Sequence, residues 1–169
     1  PDIRKISLRY FQKAKSLPKK QIFELCDYLL DNELFVIPFD WAWRIEKRYT
    51  IGDFNRFQRW LKYYVDAWNT CDHLCVHPLG TFVYRFPEVV PKTEKWAYAN
   101  NRWHRRASAV CLILRIRKGK GLSDIFARAD ILLQDCDDMV QKGYGWMLKE
   151  AANRYQHVVF EYVMRNKRN

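Results

Sequence analysis

The sequence predicts an all-α protein, and three observations carry that expectation. Apolar residues recur at three- and four-residue spacing along nearly all of the 169-residue chain, as in Ile22, Leu25, Cys26 and Leu29 and again in Phe54, Phe57, Trp60, Leu61 and Tyr64. This is the pattern of helices with one buried face. No segment alternates apolar and polar residues with the period of two that a half-buried strand requires. Pro18, Gly52, Pro78, Pro87, Pro91 and the stretch from Gly119 to Gly121 fall at or near the ends of the periodic runs.

Taken in order, the spacing predicts helices over 2–16, 19–31, 33–48, 52–66, 68–86, 101–118, 122–134, 136–154 and 156–164, with Pro38 kinking or restarting the third. Short connections favour antiparallel pairs, which either stack into a solenoid or close into a bundle. No strict internal repeat is visible, so the pattern leaves both open. The length, and the absence of any Ser/Gly/Pro-rich linker, predict one domain over 1–169 with a continuous apolar core.

Thirty Lys and Arg against nineteen Asp and Glu give a formal charge of +11, which points to a polyanionic partner. No run of eighteen apolar residues exists to span a bilayer, and no charged-then-apolar signal segment opens the chain. The chain starts at Pro1, as a processed or shortened form would. Five cysteines, an odd number placed within apolar helical patterns, predict reduced buried thiols and a cytoplasmic protein.

Three segments stand out from ordinary core patterning. At about 100° per residue, Trp68, Asp72, Cys75 and Leu79 share one helix face. A carboxylate in that stripe must be satisfied by a partner or exposed in a cleft. A core tryptophan beside a hydrogen-bonded aspartate is the simpler alternative. In the same segment Cys71, His73, Cys75 and His77 suggest zinc by composition, but the two histidines project roughly 200° away from the cysteines on a helix, so one tetrahedral ion cannot collect all four. No metal is expected.

The second segment, Asn100-Asn-Arg-Trp-His-Arg-Arg-Ala-Ser, places Arg102, Arg105 and Arg106 in the first turns of a helix, where cations oppose the dipole. Together with free backbone N–H groups they would hold a phosphate; otherwise they form a solvated basic cap with acidic partners elsewhere. In the third, the stripe Val140, Tyr144, Met147, Leu148 and Ala151 faces a core, while Trp146 lies opposite with Lys142, Lys149 and Asn153. An aromatic ring in a basic row suits backbone contact combined with base or sugar packing, and a covering helix is the alternative. Gly143 and Gly145 weaken that helix by about 1 kcal/mol each relative to Ala, which suggests close approach of another group.

The ordered motifs Trp68-Asn-Thr-Cys-Asp72, Trp103-His-Arg-Arg-Ala-Ser and Val140-Gln-Lys-Gly-Tyr-Gly-Trp-Met-Leu-Lys-Glu150, after an opening Pro1-Asp-Ile-Arg-Lys, resemble the DNA alkylation repair family of HEAT-like-repeat DNA glycosylases. The resemblance implies a right-handed α–α superhelix of antiparallel helix pairs, shortened at both ends, with a basic groove for double-stranded, alkylated DNA. It implies monofunctional hydrolysis of the N-glycosidic bond of cationic N3-alkyladenine and N7-alkylguanine by a monomer without metal or cofactor. Trp68 and Asp72 match the catalytic Trp and Asp of that family, and Trp146 its second cleft Trp. Arg105 and Arg106 match its paired arginines, Lys142 stands where a basic residue is usual, and Lys149 stands where many relatives have Arg.

Overall fold

The computed structural model describes residues 3–167, and every regular element among them is helical, as the apolar spacing predicts. α1 (Ile3–Ala14) and α2 (Lys19–Asp31) lie close to their expected spans, with Pro18 as the N-cap residue of α2. Beyond α2, Glu33 takes a positive φ of 62° and the Leu34 amide donates back to the Leu29 carbonyl at 3.0 Å. Such a left-handed turn ends a helix by satisfying its last carbonyls. Pro38 then decides where the next helix begins. α3 (Val36–Arg44) starts at Val36 rather than residue 33, because proline in the first turn loses only an N–H that would have no partner within the helix.

A 3₁₀ turn at Ile51–Asp53 leads into α4 (Phe54–Tyr64), with the Asp53 carboxylate accepting from the Thr50 amide at 2.7 Å and from Lys19 at 2.7 Å. The helix expected over 68–86 is two helices, α5 (Trp68–Val76) and α6 (Pro78–Arg85). The break is His77, at φ −99° and ψ −93°, because the ring of Pro78 disfavours the helical conformation in the residue before it. The segment 87–100, where the periodicity predicts no helix, holds the short α7 (Val90–Glu94) between 3₁₀ turns at Pro87–Val89 and Lys95–Tyr98.

The run expected over 101–118 also divides, into α8 (Arg102–Val110) and α9 (Ile113–Arg117). No proline or glycine marks this break. The Leu112 amide bonds the Ala109 carbonyl at 3.1 Å instead of the Ser108 carbonyl, and the carbonyl thus released accepts from the Arg128 guanidinium. α10 (Leu122–Leu132) follows the left-handed Gly121, whose φ of 75° favours glycine. α11 (Asp138–Asn166) is capped by the Asp137 carboxylate and kinks at Tyr155, at φ −126° and ψ 48°, where the sequence pattern predicts a new helix.

Contacts divide the chain into two compact units, residues 1–82 and 83–169. In the first, α3 packs against α1, α2 and α5, and α4 packs against α5. Phe23, Phe57 and Trp60 meet edge to face at centroid distances of 5.5 to 6.2 Å, the arrangement in which ring edges face electron-rich ring faces. Asp27 ties α2 to α4, accepting from the Trp60 indole at 2.6 Å, from Arg59 at 2.6 Å and from Arg56. Burial would raise this carboxyl, but Arg59, Trp60 and Arg56 together hold it below the usual carboxylate range.

In the second unit α8, α9 and α10 all pack on α11. The buried stripe of α11 is Val140, Gly143, Met147, Leu148 and Ala151, with Tyr144 half-buried beside it. Arg128 of α10 is 1% exposed and donates to the carbonyls of Ser108 and Thr93. No carboxylate touches it among the described residues; Glu94 and Asp124 act on it through space, and burial lowers its proton affinity.

Candidate nucleic-acid interface

Trp68 and Asp72 belong to α5, in the first unit. The Thr70 hydroxyl accepts from the Ala67 amide at 3.3 Å and donates to the Ala67 carbonyl at 2.9 Å, which sets the first turn of the helix. Trp68 is therefore the first helical residue, and it is 58% exposed. Asp72 follows one turn later, half-buried. The expected stripe is corrected at Leu79, which lies beyond the break at His77, while Cys75 stays on α5 and is fully buried. Trp68 is thus not a core tryptophan, because burial of its neighbours on the helix does not extend to it.

Cys71 and Cys75 sit in the core, whereas His73 packs edge-on against Phe39 at 5.7 Å and His77 lies 4.6 Å from Trp43. Among the described residues no three His, Cys, Asp or Glu side chains are grouped to hold a metal ion. The His73 imidazole is pushed down from 6.5 to about 4, first by burial and then by its neighbour His77, with Arg4 adding to this and Asp40 opposing it. Between these values the unfolded chain takes up a proton that the folded chain refuses, so stability is full above about pH 6.5 and is lost as the pH falls toward 4. Allowing for partial exposure, the loss is on the order of 2 kcal/mol. Denaturant midpoints measured from pH 7 down to pH 4 should fall, and His73→Gln should flatten the profile; an unchanged profile would refute the assignment to His73.

The arginines, the lysines and Trp146 belong to the second unit. At the start of α8 the Asn101 side chain accepts from the Trp103 amide at 2.7 Å. Arg102 pairs with Asp137 at 2.7 Å, and Arg105 pairs with Asp135 at 2.6 Å while donating to the Ala99 and Asn100 carbonyls at 3.0 and 2.8 Å. Arg106 is buried and donates to the Met139 carbonyl. The Trp103 amide is thus capped and all three arginines bond within the protein, as in the alternative of a basic cap with acidic partners elsewhere. The Arg102 side chain is 45% exposed, and exposed ion pairs contribute only about 0 to 1 kcal/mol, so a phosphate can displace Asp137 from it at little cost.

Arg105, Asp135, Asp137, Tyr98, Asn100 and Cys136 line an open cleft of about 570 Å³. Tyr98 is 70% exposed, a candidate stacking residue that the sequence reading missed because it lies where no helical period is visible. Cys136 is exposed and outside any helix, which corrects the expectation that every thiol is buried; Cys26, Cys71, Cys75 and Cys111 are buried.

On α11, Lys142 pairs with Asp138 at 2.8 Å, both side chains 63% exposed, and Lys149 is exposed. Trp146 is half-buried and its indole N–H donates to Glu150 at 2.9 Å. Only one of the two glycines marks a close approach. A Cβ at Gly143 would stand 3.0 Å from Arg106 Cγ, whereas one at Gly145 would meet nothing within 4 Å. Gly145→Ala should therefore raise unfolding stability by about 1 kcal/mol from helix propensity, and Gly143→Ala should lose that gain by displacing Arg106. Equal gains in a denaturant titration would refute the contact.

A helical protein of net charge +11 with an exposed tryptophan and a carboxylate on one helix, and arginine and lysine on others, has the make-up of a protein that handles nucleic acid. More closely, residues 1–169 match the family described as DNA alkylation repair enzyme, and the chain belongs to that family. Its role thus lies in DNA repair. The fold is shared with a solved structure titled "Predicted DNA alkylation repair enzyme from Enterococcus faecalis", at a TM-score of 0.84 and 15% identity, over 96% of this chain and 76% of that one. No curated protein is found to match. No helix among the described residues is long and apolar enough to cross a membrane.

Proposed function

We propose that the protein is a monofunctional DNA glycosylase that hydrolyses the N-glycosidic bond of cationic alkylated purines, N3-alkyladenine and N7-alkylguanine, in duplex DNA. The observation that carries this reading is the exposed ring of Trp68 one turn before Asp72 on α5, in a chain of the DNA alkylation repair family. An alkylated purine already bears positive charge, so it leaves with little general-acid help. What the reaction needs is stabilisation of the positive charge that develops on the sugar, and a positioned water. The Asp72 carboxylate supplies both. Trp68 packs against the lesion nucleotide and adds cation–π attraction of about 0.5 to 2 kcal/mol, and Trp146 of the second unit packs against the duplex. Arg102, Arg105, Lys142 and Lys149 supply contact to the DNA backbone, the buried Arg106 adds positive charge behind them, and the protein acts as a monomer.

No lysine forms a Schiff base in this scheme, so the product is free base and an unbroken abasic strand. The test is incubation with a duplex carrying N7-methylguanine: base release without strand cleavage supports the reading. A second reading, a DNA-binding scaffold without catalysis, rests on the same net charge of +11. It predicts salt-sensitive duplex binding and no base release.

A further inference from the structure

Trp146 has one polar atom, its indole N–H, and the structure spends it on a charged group. The Glu150 carboxylate one turn along α11 accepts that N–H on Oε1 at 2.9 Å. Arg117 of α9 grips the same carboxylate with both ends of its fork, Nη2 to Oε1 at 2.7 Å and Nε to Oε2 at 2.9 Å. The two-pronged bond fixes the carboxylate plane. Because Oε1 is shared between the guanidinium and the indole, the plane of the ring is coupled to the pair. A simple tether between α9 and α11 would need only the Arg117 fork; it would not need the ring.

We propose that Glu150 and Arg117 are positioning residues that hold the Trp146 ring in the orientation in which it packs against the duplex, an inference that rests on the glycosylase reading of the chain. Preorganisation of a contacting side chain by a second set of bonded residues is what keeps a reacting group within tolerance of its productive geometry. Arg117, opposed by burial and helped by Trp146, holds the Glu150 carboxyl down to about 2. The clamp therefore stays ionised over any pH at which duplex DNA persists.

The test uses the full chain and three variants, Glu150→Ala, Glu150→Gln and Trp146→Ala. Single-turnover release from a duplex carrying N7-methylguanine should fall roughly tenfold to a hundredfold in Glu150→Ala, up to the scale of a contact misplaced by about 1 Å. Affinity for the unmodified duplex should stay near wild type. Glu150→Gln keeps an oxygen for the indole and should recover most of the rate. In fluorotryptophan-labelled protein, the fluorine resonance that Trp146→Ala removes should shift and broaden in Glu150→Ala and stay in place in Glu150→Gln. An unmoved resonance, or a wild-type release rate in Glu150→Ala while Trp146→Ala is impaired, would overturn the clamp. Unimpaired release in Trp146→Ala would overturn the role of Trp146 itself, and the fluorine response to Glu150 would separate that failure from failure of the clamp.

Discussion

Asp72→Asn is expected to lower base release from a duplex carrying N7-methylguanine by about a hundredfold or more. The substitution preserves shape and one oxygen acceptor and removes the charge, so it isolates the electrostatic contribution of the carboxylate. A preorganised group aimed at developing charge typically contributes about 10² to 10³ in rate. Asp72 is half-buried, where its field is less screened than at an open surface. Affinity for unmodified DNA should hold or rise slightly, since a negative charge has been removed from a protein that binds a polyanion. Single-turnover release and duplex binding measured side by side separate the two effects. A wild-type release rate would remove Asp72 from the mechanism, and a parallel loss of binding would reassign it to folding.

Arg128→Ala is expected to cost about 3 to 5 kcal/mol of unfolding stability, the scale on which truncation of a large buried side chain to alanine falls. Arg128 is almost wholly buried, and it serves the Ser108 carbonyl that the break between α8 and α9 releases, as well as the Thr93 carbonyl at 3.3 Å. Truncation would take one donor from each carbonyl and leave a cavity where the side chain stood. Arg128→Met fills the volume and removes the cost of burying a charge, so it should lose distinctly less. Equilibrium denaturation of the two variants reads the difference. Equal and small losses would show that these carbonyls find other donors.

The helices whose ends are marked by local chemistry were legible in the sequence. α2 occupies its expected span, and the kink at Tyr155 falls between the two helices expected there. The divisions at His77 and at Cys111–Leu112 were not. The first follows from Pro78, a local signal outweighed by apolar periodicity that continues across it. The second has no local signal, since the donor that stabilises it, Arg128, is remote in sequence. The arginine-rich start of α8 was legible as unusual, but its partners Asp135 and Asp137 lie 30 and 35 residues further along the chain from Arg105 and Arg102, just before α11.

By itself the sequence determined the helical class, the basic charge and the motifs that resemble the DNA alkylation repair family, because helical periodicity, composition and ordered motifs are properties of residue order. Only the tertiary structure decided which side chains are exposed and which are spent. Trp68 stands in solvent while Cys75 and Leu79 are buried, the α8 arginines are bonded within the protein, and the indole of Trp146 is held by Glu150 and Arg117. Exposure and partnership depend on residues brought together from distant parts of the chain, and no local pattern carries that information.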